Sequence, residues 1–384
     1  MTWSHRERLL AALHHEEPDR VPIDFGSALA TTIILDAYED LKHHLGMSHE
    51  TGVMSKTSKL THPHEEVLHR FDVDTRGVQL GSYVGGHKKV PDENSFIDEF
   101  DVLWKISPGG KDVHYLHKDG PFHNTEASID LIESFDWPDP DNPGLVEGVR
   151  ERVEAIKQLG DYALVLELPG GVVHRGYAMR GFEQYLKDLY KHPEFVTRLM
   201  DKLAEYWIRC AENVIAVAGP ENIDVVFFGE DLGTQDGCMF DPAIYEKLIK
   251  PRHRRVIETV KSLTDAKLLF HCCGSAYHFI DHLIDMGVDA LNPVQVTARN
   301  MEPERLKAEF GDRISFWGGI NTQRLLPYGT PAEVTAETRR VIDILGRGGG
   351  YVVNSVHNIQ PGVPPENIVA MFDEARNHGY DKAA

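Results

Sequence analysis

Leu268-Leu269-Phe270-His271-Cys272-Cys273-Gly274 is the stretch on which the reading of this chain turns. Ala266 to Phe270 is an apolar run of strand length, and it stops abruptly in a histidine, two cysteines and a glycine. Past the glycine, Phe279, Ile280, Leu283, Ile284 and Met286 fall at helical spacing. A buried strand followed by an amphipathic helix is half of a βα unit, and such units present functional groups at the carboxyl end of the strand. His271 and Cys273 are two residues apart, so in extended backbone they leave on the same face. An imidazole nitrogen and a thiolate so placed can be taken by one Zn²⁺. The plain alternative is a hydrogen-bonded histidine beside a buried thiol. Cys272 points to the opposite face and reads as core.

The same rhythm extends in both directions. Strands are expected at Arg20–Gly26, Ala163–Leu168, Ile223–Phe228, Ala290–Asn292, Ile314–Trp317 and Tyr351–Asn354. Helices are expected over 4–15, 34–46, 63–71, up to about Leu159, near 180–190, and over 194–217. Another covers 242–262, broken or kinked at Pro251. Thr330-Pro-Ala-Glu333 is a capping-box pattern, and Pro364-Pro365 opens a final helix. Strands alternating with helices predict right-handed βα crossovers, an α/β fold. Six or seven units with polar residues after each strand favour a (β/α)₈ barrel over an open sheet, as one domain spanning 1–384. Residues 82–125 interrupt the pattern. Their Gly, Pro, His and Asp, with Tyr83, Phe96, Trp104, Tyr115 and Phe122, suggest an N-terminal excursion that covers the barrel mouth. A satellite core or an oligomer contact would use such aromatics equally well.

Bulk composition narrows the function. The formal net charge of −20, from 40 basic and 60 acidic residues, leaves no cationic excess to displace counterions from nucleic acid. No apolar run is long enough to span a membrane, and the first residues carry no apolar signal core. Four cysteines without a framework fit a reducing, cytoplasmic setting. His278 and His282 are four apart and read as a solvated helix face.

On a barrel, the residues after each strand share one rim. Glu230 and Asp231 are the candidate catalytic carboxylates, with metal ligation, turn capping and substrate binding all open to them. Asp24, Glu167, Asn292, Asn321 and Asn354 are candidate substrate contacts, and Gln295 lies among them. His357 stands three residues beyond the last strand. One Cys and two His, namely His271, Cys273 and His357, would give three protein ligands and an open fourth position, the pattern of a catalytic zinc. His357 could instead hydrogen-bond a substrate carboxylate or a loop carbonyl.

At these residues the chain resembles the superfamily of uroporphyrinogen decarboxylase and the zinc-dependent, corrinoid-linked methyltransferases. The resemblance is carried by Gly229-Glu-Asp-Leu-Gly-Thr-Gln235, Asp241-Pro-x-x-Tyr245, His271-x-Cys273-Gly274, Trp317-Gly-Gly-Ile-Asn321, Gly329-Thr-Pro-Ala-Glu-Val334 and Pro365-Glu-Asn-Ile368. Fainter echoes are Phe71-x-x-Asp74, Asp136-Trp-Pro-Asp139 and Met179-Arg-Gly-Phe182. It covers nearly the whole chain and implies a distorted (β/α)₈ barrel. The decarboxylase branch places arginines in an N-terminal Arg-Gln-Ala-Gly-Arg segment and needs no metal. Here Val21-Pro-Ile-Asp-Phe-Gly-Ser-Ala28 has none, and Asp24 would repel a polycarboxylate. The methyltransferase branch holds zinc on a His-x-Cys pair and a later Cys. His271 and Cys273 match the pair, while His357 stands where the later cysteine is expected.

That exchange raises the formal charge of a zinc site from neutral to +1 and makes it a better Lewis acid towards oxygen. The expectation is therefore a zinc-dependent methyltransferase that demethylates a small methoxylated or methylamine-type donor and passes the methyl to a corrinoid. The chain lacks the Asp-x-His-x-x-Gly pattern of cobalamin proteins, so the corrinoid would arrive on a partner protein. The alternatives are transfer from methyl-corrinoid to a thiol or tetrahydrofolate, a metal-free decarboxylase-like lyase, and a non-catalytic barrel. Homo-oligomerisation is left open.

Overall fold

The computed structural model describes residues 3–55, 59–85, 95–106, 115–168 and 170–379. Seven parallel strands form one sheet: β1 (Thr75–Val78), β2 (Ala163–Glu167), β3 (Val225–Gly229), β4 (Lys267–His271), β5 (Ala290–Asn292), β6 (Ser315–Trp317) and β7 (Tyr351–Val352). Each pairs with its neighbour in chain order. The extended segment around Ile23 joins the two edges. Asp24 N donates to Val353 O (3.0 Å), Val353 N donates to Pro22 O (2.9 Å), and Asp74 N donates to Ile23 O (2.9 Å). The segment thus lies between β7 and β1 as an eighth stave. The sequence suggests a strand over Arg20–Gly26, yet only the Ile23–Val353 bridge forms. Pro22 has no N–H to give the ladder, and Asp24 is drawn into a polar network.

The alternation of strand side chains divides the core into two shells. Ala163, Val165, Val225, Phe227, Leu269, Ala290, Trp317 and Val352 form an inner cluster together with Leu9 and Leu13. Leu164, Leu166, Val226, Phe228, Leu268, Phe270, Leu291, Phe316 and Tyr351 face outward into the larger cluster shared with the helices. Leu9 and Leu13 come from the helix His5–Leu13, capped by a Ser4/Glu7 capping box. Arg6 N donates to Asp161 O (3.0 Å) and Gly350 N to Ala12 O (2.7 Å), just ahead of β2 and β7. This helix therefore plugs the amino-terminal end of the barrel and leaves the carboxyl end for chemistry. Each large side chain buried there contributes about 1.5–3 kcal/mol.

The expected helices Leu35–Leu45, Val149–Leu159, Pro193–Ala218, Pro331–Leu345 and Pro365–Asn377 are present. The break near Pro251 takes the form of a π-helical turn at Tyr245–Ile249 ahead of the helix Lys250–Leu263. Proline has no N–H for the regular ladder, so the wider turn accommodates the mismatch. Among the described residues no helix is long and apolar enough to cross a membrane.

The excursion holds an antiparallel sheet of Ser95–Ile97, Leu103–Ile106 and Tyr115–Asp119. Phe100 packs on Tyr206 and Trp207 at centroid distances of 5.0 and 5.7 Å. Phe122 packs on Phe135 and Phe195. Trp104 Nε1 donates to Asp98 Oδ2 (2.7 Å), and Asp98 pairs with Arg175 in the helix Val172–Arg180. That helix begins just past β2 at the barrel mouth, so the sheet is fastened to the rim. Residues 86–94, 107–114 and the Tyr115 side chain lie outside the described residues, and with them part of the expected cover.

Candidate metal centre

β4 ends at His271, and the chain then turns sharply at Gly274, where φ is +79°. A Cβ there would meet Gly233 C at 2.7 Å, so the glycine lets two loops cross at the rim. His271 pairs in register with Asn292 on β5, and Asn292 Oδ1 lies 2.7 Å from His271 Nδ1. An amide oxygen can only accept, so this bond assigns the proton to Nδ1 and leaves the Nε2 lone pair free. Nε2 faces Cys273 Sγ at 3.3 Å. The His357 ring stands 5.7 Å from the His271 ring, centroid to centroid. One ligand atom from each of His271, Cys273 and His357 falls within 4.8 Å of the other two. Donors on a tetrahedral zinc are spaced roughly 3.3–3.8 Å apart, given bonds of about 2.0–2.3 Å. The three residues named from the sequence therefore come together at the rim, and the His271–Cys273 pair has a spacing that one metal ion could bridge.

Burial pushes the His271 imidazole below the ordinary histidine range, which favours the neutral, ligating form. Burial, and then the Asp231 charge, pushes the Cys273 thiol well up. A thiolate at that position needs a cation beside it.

Asp231 reaches this cluster and Glu230 does not. Asp231 Oδ1 accepts from Cys273 N (2.7 Å) and lies 3.7 Å from His271 Nε2. Its other oxygen is 3.5 Å from His174 Nε2. Burial opposes ionisation of Asp231, but the neighbouring His174 and His271 outweigh it and hold the carboxyl well below its usual range. Glu230 is fully buried behind the rim. It accepts from the backbone N–H groups of Val172 (3.0 Å), Val173 (2.5 Å) and His174 (2.8 Å), and it pairs with His253 Nε2. A carboxylate at a helix N-terminus satisfies orphan donors and complements the dipole. Gly171, with φ +111°, permits the approach: a Cβ there would come 3.1 Å from Glu230 Oε2. Glu230 thus anchors the helix that carries His174.

The other candidates divide. Asp24 is fully buried and accepts from Thr75 Oγ1 (2.6 Å), Trp317 Nε1 (2.9 Å) and Asn354 Nδ2 (3.2 Å). Asn354 also donates to Asp24 O and Thr31 O. These two polar residues tie the Ile23 stave to β7. Glu167 ends β2 and accepts from Leu29 N (3.0 Å), and burial pushes its carboxyl up to about 8. Asn321 Oδ1 accepts from Gln323 N and Arg324 N, a local turn. Gln295 Oε1 accepts from Gly274 N (2.7 Å), bracing the turn behind Cys273. Sequence reasoning missed His174 and His253. His174 follows Pro169-Gly-Gly171 after a strand, a signal of rim position that went unread. His253 lies on a helix with nothing local to mark it.

The family description for uroporphyrinogen decarboxylase (URO-D) matches residues 93–378. Uroporphyrinogen decarboxylase of Methylococcus capsulatus is 25% identical over 283 residues, spanning 71% of this chain and 76% of that protein. Uroporphyrinogen decarboxylase of Hahella chejuensis is 27% identical over 199 residues, 52% of each chain. A solved methyltransferase structure from Methanosarcina mazei superposes with a TM-score of 0.64 at 17% identity, over 97% of this chain and 98% of that one. At that identity the likeness speaks for the fold.

Proposed function

The chain belongs to the uroporphyrinogen decarboxylase family, and within it we propose a zinc-dependent methyltransferase that demethylates a small methoxylated compound and passes the methyl group to a corrinoid protein. What supports this reading is the convergence of His271, Cys273 and His357 at the carboxyl end of the barrel. Bound there, zinc would supply a Lewis acid for the ether oxygen of the donor and ease its departure as phenolate or alkoxide. Methyl transfer moves CH₃ without its bonding pair. The C–O electrons stay on the oxygen, and the acceptor provides the new pair.

The residues around the cluster have distinct duties. Asn292 fixes the His271 ring so that Nε2 is the donor atom. Asp231 accepts the Cys273 N–H and so holds the thiol-bearing turn in place. His174 Nε2 accepts from Asp231 N (3.2 Å), so a proton returned to a leaving oxygen by this residue would come from Nδ1. One thiolate and two neutral imidazoles leave a formal +1 on the metal, which suits an oxygen leaving group better than a thiol.

The metal-free lyase reading draws no support from the N-terminal segment. Arg20, the arginine nearest the N-terminal segment, donates to Asp74 and Asp72 instead of facing the mouth. The deciding experiment joins elemental analysis of the purified chain to methyl transfer from a panel of methoxyarenes to cob(I)alamin. Near one zinc in the barrel site and methyl-cobalamin formation are expected. A Cys273→Ala variant with full zinc and full activity would end this reading.

A further inference from the structure

The geometry points to a second metal site, on the surface of the N-terminal segment, formed by His49, His64 and Glu66. Among the described residues this trio, like the barrel cluster, brings one ligand atom from each of three His, Cys, Asp or Glu side chains within 4.8 Å. The three come from two places in the chain. His49 follows the helix Leu35–Leu45, His64 caps the helix Glu65–Arg70, and Glu66 lies in its first turn.

The site is built from beneath by one buried residue. Tyr38 is fully buried, and its hydroxyl lies 3.0 Å from His49 Nε2 while accepting from His64 N at 2.7 Å. With Nε2 engaged by the phenol, His49 Nδ1 turns outward to Glu66 Oε2 at 3.1 Å. In the tautomer that donates Nε2–H to the phenol oxygen, this is the arrangement of a metal-binding histidine, with one nitrogen oriented from behind and the other presented. It is also the spacing of two donors sharing one ion. The His64 ring stacks on the His49 ring at 4.1 Å and 18°, and its Nδ1 accepts from Glu66 N at 3.3 Å, a cap that ligation through that nitrogen would displace.

His49 is 9% exposed and Glu66 60% exposed in their side chains, so an ion would be gripped on one side and hydrated on the other. The nearby ammonium of Lys42 is occupied by Glu39 and Thr51. Two imidazoles and a carboxylate select a borderline divalent cation, Zn²⁺, Co²⁺, Ni²⁺ or Cu²⁺, over Mg²⁺ or Ca²⁺. Occupancy would fasten the turn carrying His49 to the helix whose Arg70 pairs with Asp373 in the C-terminal helix. This site does not depend on the proposed reaction.

The test is cobalt and zinc titration of the full chain after chelator stripping. Two equivalents are expected, one with thiolate-to-cobalt charge transfer and one without. Cys273→Ala should lose the charge-transfer band and keep the second equivalent, with a melting temperature that still rises on adding zinc. A His64→Asn, Glu66→Gln double variant, whose asparagine preserves a capping group, should lose only the equivalent without charge transfer. Uptake of a single, thiolate-bound equivalent by the unmodified chain would overturn the proposal. So would a well-folded double variant, checked by circular dichroism, that still binds two. If Cys273→Ala instead kept both equivalents, the barrel assignment would fail while the surface site stood.

Discussion

Asn292 Oδ1 lies 2.7 Å from His271 Nδ1, across the paired strands β4 and β5. The two residues are in register, so the backbone ladder itself sets the distance. Asn292 also donates from Nδ2 to Trp317 O (3.4 Å), which fixes which end of its amide faces the histidine. A ligand histidine is held by the group behind it as much as by the metal. Asn292→Ala should therefore lower zinc affinity about 10- to 100-fold while all three ligands remain. Competition with a chromophoric chelator measures this directly, and unchanged affinity would mean that the amide does not orient the ligand.

Glu230 should matter to stability more than to chemistry. Itself fully buried, it accepts three backbone N–H groups and pairs with the buried His253. Glu230→Ala leaves the helix Val172–Arg180 without its N-terminal acceptor and His253 without its partner. The expected cost is about 3–5 kcal/mol, read as a lower denaturation midpoint. Activity should fall as well, because His174 rides on that first turn. A variant of unaltered stability that loses only turnover would instead place Glu230 in the reaction.

The barrel, and the meeting of His271, Cys273 and His357 at its rim, were legible from the sequence because their signals are local or periodic. The βα rhythm, the Thr330/Glu333 capping box and the His271-x-Cys273 step each need only a few consecutive residues. His357 joined them through its position past the last strand. What escaped depended on distance in the chain. Glu230 and His253 are 23 residues apart, and the amides that Glu230 binds are more than 50 residues away. The helices Val172–Arg180 and Pro303–Phe310 were also missed. The former carries Gly176 and a poorly segregated face, so its helicity rests on the Glu230 anchor and on packing rather than on pattern. Asn321 stood at a strand end like the others, yet its side chain closed a turn.

Glu167 gives a pH signature. Its folded carboxyl titrates near 8, raised by burial, against about 4.3 in an unfolded chain. Between those values the unfolded state releases a proton that the folded state keeps, so stability falls as pH rises from about 4.3 to 8. Asp24, raised by burial in the same direction, adds to the trend. Glu167→Gln removes the Glu167 part. The variant should be more stable than the parent at pH 8, by at most on the order of 4 kcal/mol. The difference should shrink towards pH 5. Parallel stability curves for the two proteins across this range would show that the carboxyl is not held neutral.

His357 carries the argument about reactivity, because it stands where the resembling methyltransferases are expected to place a second cysteine. Its ring lies 5.7 Å from that of His271, and it completes the trio with Cys273. If it ligates, His357→Ala should lower zinc affinity or turnover at least tenfold. His357→Cys should bind metal again, since a thiolate is a competent zinc ligand of similar reach. The substituted site would then carry two thiolates and one imidazole, and its formal charge would fall from +1 to zero. A less positive metal stabilises a departing oxygen less. The cysteine variant should thus be fully zinc-loaded yet slower on methoxylated donors, with the loss appearing in kcat. A histidine that only hydrogen-bonds the substrate predicts the opposite pattern: His357→Ala keeps its zinc and mainly raises KM. Metal content and the split between kcat and KM in these two variants separate ligand from substrate contact.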